Sequence, residues 1–118
     1  MPYIRLSISQ KLTQEKQEDV VRELGKAISV FPGKDERGLI VDLEDGKTIY
    51  VGGVKQDNMA FIDVRYYSNF PYQVKKEFTA SVFEALNRVL GTSTERMSLT
   101  ITEYNSWGGF GDFIDEYF

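Results

Sequence analysis

The chain has 118 residues, which suits one domain and leaves little room for a second. Its 14 Lys and Arg stand against 18 Asp and Glu, a net charge of −4, which argues against nucleic acid, whose phosphates need clustered cations. With neither Cys nor His the chain cannot host a thiolate nucleophile, a disulfide, a zinc site of the usual kind or a Ser-His-Asp triad.

No apolar run approaches the roughly 20 residues of a membrane span, and the amino terminus lacks a signal-peptide core. A cytoplasmic protein with no membrane partner is the expectation. The hydrophobic fraction of 42%, with 8 Phe, 7 Tyr and 1 Trp, can furnish a core and leave apolar surface for a subunit interface.

In chain order, Tyr3 to Ile8 alternates in character and predicts a strand. Thr13 suits an N-cap, with Glu15 in the first turn to complement the helix dipole. Val20, Leu24, Ala27, Ile28 and Phe31 then fall on one helical face, and Pro32-Gly33 ends the helix. Leu39 to Leu43 predicts a strand. Asp45-Gly46 is a hairpin turn signal leading into Thr48 to Val51, and Gly52-Gly53 breaks the pattern.

The second half begins again. Phe61 to Tyr66 predicts a strand, and Pro71 stands where a helix would start. Phe78, Val82, Ala85, Leu86 and Val89 form its apolar stripe, Gly91 stops it, and Leu99 and Ile101 mark a further strand.

Val20 and Phe78, Leu24 and Val82, Ala27 and Ala85, Tyr3 and Phe61, and Gly33 and Gly91 are each separated by 58 positions. Two amphipathic helices share a spacing by default, but a strand, a helix and a stop glycine keeping one offset point to a duplicated β-α-β unit, with repeats at about 2–53 and 59–105. The predicted fold is α/β: a single domain with a four-stranded mixed sheet and two helices on one face. Helices on one side only leave a sheet face to be covered, so oligomerisation is expected.

Two residues carry chemistry. Initiator Met is normally removed before a small residue, which would leave Pro2 with a free secondary amine. Such an amine can act as a general base if burial or a nearby cation lowers its pKa. A proline at position 2 by chance is the plain alternative. Lys34 follows the helix stop at the mouth of the second strand, whose start lies beside the start of the first. It would thus meet Pro2, disfavour its protonation and clamp a substrate carboxylate. The plain reading of Lys34 is a solvated surface lysine.

Met1-Pro2, Gly33-Lys34, the Gly52-Gly53 break, Glu95-Arg96 and Ser106-Trp107 together resemble the tautomerase superfamily, most closely its macrophage migration inhibitory factor and dopachrome tautomerase branch. The resemblance implies a homotrimer whose sheets form a barrel, with an active site at each subunit interface. It implies a cofactor-free tautomerase or isomerase acting on a small 2-oxo acid or its enol, with Pro2 shuttling a proton and Lys34 holding a carboxylate or polarising a carbonyl. Tyr67 falls where the family lines its pocket with an apolar side chain, and Trp107 would close the pocket from a neighbouring subunit.

The chain departs from that pattern in two places. Ser98 and Thr100 stand where the closest relatives have a pocket Tyr and Asn, so a wider pocket or another substrate is implied. Met59-Ala60-Phe61-Ile62 replaces the family's Cys-Ala-Leu-Cys, which rules out thiol-disulfide chemistry by that route.

The tail from Asp112 to Phe118 is acidic and aromatic and is expected to pack on a neighbouring subunit. Trp107-Gly108-Gly109-Phe110-Gly111 lacks the strand-to-helix setting of a phosphate loop and reads as a turn. Asp42, Glu44 and Asp45 read as solvated acids around a turn rather than a metal cluster. Tyr66, Tyr67 and Tyr72 suit an aromatic substrate or, more commonly, packing. A ligand-binding or interaction protein of the same fold without turnover is the rival reading. A ferredoxin-like sensing domain, which needs no free Pro2, is a more distant one.

Overall fold

Strand β1 (Tyr3–Ile8) lies at the middle of the sheet because its alternate side chains Ile4, Leu6 and Ile8 are all buried, which requires cover from a neighbour on each edge and from helices above. The computed structural model describes residues 1–114 of the chain. After β1 come helix α1 (Gln14–Ile28), a 3-10 turn at Glu36–Gly38, β2 (Ile40–Glu44), β3 (Ile49–Val51) and β4 (Val54–Gln56). Then follow β5 (Ala60–Tyr67), α2 (Tyr72–Leu90), a second 3-10 turn at Thr94–Arg96, β6 (Met97–Tyr104), β7 (Trp107–Gly109) and β8 (Asp112–Ile114).

The main sheet runs β2-β1-β5-β6. The outer pairs β1/β2 and β5/β6 are parallel, while the central pair β1/β5 is antiparallel, with Tyr3 opposite Arg65 and Ile8 opposite Ala60. The sheet is therefore mixed, as expected, and β1-α1-β2 and β5-α2-β6 share one connectivity. Helices α1 and α2 pack on each other and send Val20, Leu24, Ile28, Phe78, Val82 and Leu86 into the core formed with β1 and β5. Burying each of these side chains contributes about 1.5–3 kcal/mol.

Local signals fix the ends. The Thr13 hydroxyl accepts from the Lys16 N–H at 3.2 Å, and Gly91 closes α2 in the left-handed conformation at φ 69°. Helix α1 stops at Ile28, before the Phe31 expected from its stripe. Val30 and Phe31 continue with i→i−3 hydrogen bonds to Ala27 and Ile28, a tighter winding that still turns Phe31 fully inward.

Asp45-Gly46 does not make the expected hairpin. Gly46 N–H donates to the Gln10 carbonyl at 2.8 Å and Lys47 N–H to that of Ile8 at 2.9 Å, while the Asp45 carboxylate accepts from Leu12 N–H at 2.8 Å. The turn is thus spent on anchoring the β1–α1 connection. The hairpin forms one step later, between β3 and β4, where Gly52 and Gly53 both take positive φ (58° and 81°) as a two-residue turn demands.

The sheet face away from the helices carries polar pairs together with the exposed side chains of Ile40, Phe61 and Tyr104. Tyr3 donates to Asp42 at 2.7 Å, Arg5 pairs with Glu44, and Arg65 pairs with Asp63 at 2.8 Å while lying over the Tyr3 ring. Asp42, Glu44 and Asp45 are each held by such a donor and do not converge. Among the described residues no group of His, Cys, Asp or Glu could hold a metal ion. No helix among them is long and apolar enough to cross a membrane.

Candidate active site

The start of β1 and the connection after α1 meet at one end of the sheet because β1 and β2 are parallel neighbours. The Pro2 carbonyl accepts from Ile40 N–H at 2.9 Å, and Pro2 is buried. Gly33, with φ 79°, turns the chain after Phe31, so that Lys34 enters from the α1 side.

The Lys34 ammonium donates to the Tyr67 carbonyl at 3.1 Å and lies 5.5 Å from the Tyr66 ring centroid and 5.9 Å from that of Phe70. Those rings form a firm wall. Phe31 contacts Tyr66 and Phe70 at centroid distances of 4.8 and 4.9 Å, and the Tyr66 hydroxyl donates to Glu103 at 2.9 Å. The same Glu103 carboxylate accepts from Phe70 N–H at 2.8 Å and from Lys75 at 3.1 Å. Burial raises the Glu103 pKa, but these three donors outweigh it and hold the carboxyl below its ordinary value.

Beside Lys34 opens a pocket of about 350 Å³ lined by Met1, Pro32-Gly33-Lys34, Tyr67-Ser68 and Gly109, Phe110 and Asp112. Burial lowers the pKa of the chain's amino-terminal amine, here that of Met1, and the Lys34 charge lowers it further. Burial also lowers that of Lys34. Two non-glycine residues take positive φ, Ser68 at 154° and Phe110 at 53°, and both line this pocket. Such conformations cost of order 1–3 kcal/mol and cluster at functional sites. A larger groove of about 820 Å³ between α1 and β2, with Val21, Leu39, Val41 and Leu43 among its walls, has neither the amine nor a strained residue.

The structure brings Pro2, Lys34 and Tyr67 to this end of the sheet. Trp107 stands next to the pocket without lining it: its ring packs edge-on against Tyr104 at 5.6 Å, and its Nε1 lies 3.5 Å from where a side chain at Gly109 would begin. Ser98 and Thr100 are elsewhere in the chain. They lie opposite Phe61 and Asp63 on the exposed sheet face, with Ser98 six residues, about 20 Å, along β6 from Tyr104.

Asp112–Ile114 pair with Trp107–Gly109 of the same chain to form a β-hairpin, while residues 115–118 of the predicted packing tail lie outside the described residues. Of the stretch Trp107 to Gly111, read from sequence as a turn, only Phe110-Gly111 turns, and Trp107–Gly109 is the paired strand β7. Of the tyrosines, Tyr66 is core, Tyr67 lines the pocket and Tyr72 is exposed on α2. Phe110, Asp112, Ser68 and Gly109 were not singled out for the pocket by sequence reasoning. The Phe110-Gly111 pair between short flanking segments was the available signal for a two-residue hairpin turn.

No family model matches the sequence, and no curated protein matches it. Among solved structures, the crystal structure of Leishmania major MIF2 is similar at a TM-score of 0.87 and 19% identity, covering 97% of each chain. Pt0534 inactivated by 2-oxo-3-pentynoate is similar at a TM-score of 0.84 and 13% identity, covering 93% of each. A fused wild-type 4-OT solved as a symmetric trimer is similar at a TM-score of 0.83 and 15% identity, again covering 93% of each. At these identities the likeness establishes the fold: this chain has the α/β fold of the tautomerase superfamily, as seen in its MIF-like members.

Proposed function

We propose that the chain is a cofactor-free keto-enol tautomerase of a small 2-oxo acid or its enol, working as a homotrimer, with the amine of Pro2 as catalytic base and acid once Met1 is removed. The observation that supports this reading is the meeting of Met1 and Lys34 in one pocket, where burial and the lysine charge favour the neutral form of the Met1 amine; the amine of Pro2, one residue on, would meet the same lysine. A neutral amine at that point can take a proton from the carbon beside a 2-oxo group and return it to the enolate oxygen or, in reverse, to carbon. Lys34 holds the substrate carboxylate or polarises the carbonyl oxygen, and Tyr67 supplies wall.

The inactivation of Pt0534 by 2-oxo-3-pentynoate supports a site of this fold that admits 2-oxo acids. The symmetric 4-OT trimer supports a three-fold assembly. In such an assembly Ser98 and Thr100, on the open sheet face, would reach the pocket of a neighbouring copy, and Trp107 would border it. This reading keeps the protein cytoplasmic, with a small molecule rather than a nucleic acid or a membrane as its partner.

The test is enol-keto turnover of phenylpyruvate by protein whose intact mass shows loss of Met1. Replacing Pro2 with Ala keeps Met1 removable and should cost at least about 100-fold in kcat/KM with the trimer intact. Unchanged turnover sinks the mechanism.

One observation favours a second reading, a binding protein without turnover. With Met1 in place the Pro2 nitrogen is an amide with no basicity, and the Met1 thioether fills the space over Gly109, its sulfur 2.5 Å from where a Cβ would stand. A natively expressed protein that retains Met1 and binds enolisable acids without turning them over would decide for that alternative.

A further inference from the structure

The pocket that Lys34 lines is also lined by a carboxylate from the β7–β8 hairpin, and we propose that Asp112 makes it selective for a dipolar substrate: an enolisable 2-oxo acid whose far end carries a cation. The inference rests on the tautomerase reading and names the substrate class of that same site.

The hairpin geometry sets the direction of Asp112. Strands β7 and β8 are joined by the two-residue turn Phe110-Gly111, with φ 53° and 86°, so that Gly109 and Asp112 stand directly opposite each other. Directly opposed residues project to the same face of a two-stranded ribbon. A side chain at Gly109 would run into the Met1 sulfur at 2.5 Å, so this face looks at the start of the chain, and Asp112 shares it. Asp112 lines the pocket accordingly.

The two charges do not cancel each other. Among the described residues Lys34 makes no ion pair within 4.0 Å; its ammonium is held on the Tyr67 carbonyl and above the Tyr66 and Phe70 rings. Asp112 likewise has no ion-pair or side-chain hydrogen-bond partner among them; Gly109 opposite it carries no side chain, and the Trp107 indole borders that position, its Nε1 3.5 Å from where a Cβ at Gly109 would stand. Lys34 and Asp112 thus border the same space from two walls, and a molecule between them gains from carrying both signs.

Phe110 completes the arrangement. It lines the pocket from the turn, is 76% exposed and is held at a positive φ that a glycine or asparagine would adopt with less strain. An aromatic face beside a carboxylate is a favourable setting for an alkylammonium or guanidinium group. A second carboxylate at the far end of the substrate would instead meet Asp112 directly.

The experiment uses Met1-free protein and three phenylpyruvates, with para-aminomethyl, hydrogen and para-carboxylate substituents. Wild-type kcat/KM should fall in that order, by about tenfold or more from first to last. Asp112→Asn should compress the range to about twofold, and Asp112→Lys should reverse the order. A wild-type enzyme without the order, or an Asp112→Asn variant that keeps it, overturns the assignment while leaving the Pro2 mechanism standing. If the wild type turns over none of the three, the tautomerase reading fails by itself. Dissociation constants of the same ligands, measured by calorimetry, then decide: an order abolished by Asp112→Asn upholds the dipolar site, and equal affinities reject it.

Discussion

The Lys34 ammonium donates to the Tyr67 carbonyl across 3.1 Å and so ties the connection after α1 to the end of β5. One lysine thereby spans both β-α-β units, and the bond leaves ammonium hydrogens for a ligand. Lys34→Ala should raise KM for a carboxylate substrate about 10- to 100-fold and affect a neutral enolisable ketone far less. Equal effects on the two substrates would remove Lys34 from carboxylate binding.

The same lysine predicts an alkaline limit. Burial lowers its pKa, so the bound carboxylate loses its counter-charge as pH rises through a value below the ordinary one of about 10.4. KM for the carboxylate substrate should climb over that range. Lys34→Arg should bind less well at neutral pH because the planar fork differs in shape, yet it should show no such climb up to pH of about 12. A climb of the same midpoint in both proteins would assign it to another group.

At the acid end, kcat/KM should rise as the amino-terminal amine loses its proton, below that amine's ordinary pKa of about 8. For the Met1 amine burial lowers the pKa most and the Lys34 charge lowers it further, and the Pro2 amine freed at the same end of the sheet is expected to shift in the same direction. Lys34→Ala should therefore move the acid limb to higher pH, by less than burial contributes. A pH–rate profile on a neutral substrate separates this from carboxylate binding; a limb that stays put or moves down contradicts the electrostatic link.

Much of this geometry was legible because it follows from short-range pattern. The stripe Val20, Leu24, Ala27, Ile28 and its counterpart Phe78, Val82, Ala85, Leu86 announced two helices, and the parallel β1/β2 pairing brings the connection that carries Lys34 to the end of the sheet where β1 begins, with Met1 and Lys34 lining one pocket. A shared origin of the two units remains our proposal, consistent with their common connectivity. Turn signals were legible as turns but not as to what they join: Asp45-Gly46 bonds back to Ile8 and Gln10, and the hairpin falls to Gly52-Gly53. Phe110 and Asp112 read as part of a turn and of an acidic tail, and not as pocket residues, because strands of three residues are too short to show an alternation. Ser98 and Thr100 sit on the exposed sheet face, and in the proposed trimer their access to a pocket would depend on a neighbouring copy, which no pattern within one chain encodes.

Glu103 predicts how stability depends on pH. Its folded-state pKa lies below the ordinary value of about 4.3, so it stabilises the fold above that pH, and the contribution is lost as pH falls through the depressed folded value. Glu103→Gln should cost about 1–3 kcal/mol at neutral pH, since Lys75 loses its counter-charge and Tyr66 a charged acceptor. It should also flatten the decline in stability below pH of about 4. Urea midpoints at neutral pH and at about pH 3 check this, and a variant that declines as steeply as the wild type would place the acid sensitivity elsewhere.

Gly25 sets a packing limit near the site. It is buried in α1 against the Glu36–Gly38 turn, and an added Cβ would stand 2.9 Å from the Glu36 Cβ and 3.2 Å from its Oε2. Alanine is favoured over glycine inside a helix by about 1 kcal/mol, so propensity alone predicts that Gly25→Ala stabilises. The contact opposes it. The Glu36 Cβ is fixed to the backbone and cannot swing away, and relieving such overpacking costs about 1–3 kcal/mol. Net destabilisation is the expected outcome, with a displaced Glu36–Gly38 turn that carries Lys34 along and raises KM. Adding Glu36→Gly removes the opposing Cβ and should recover most of the KM change. If Gly25→Ala raises the melting temperature without altering KM, the turn yields freely and the packing around it does not position Lys34.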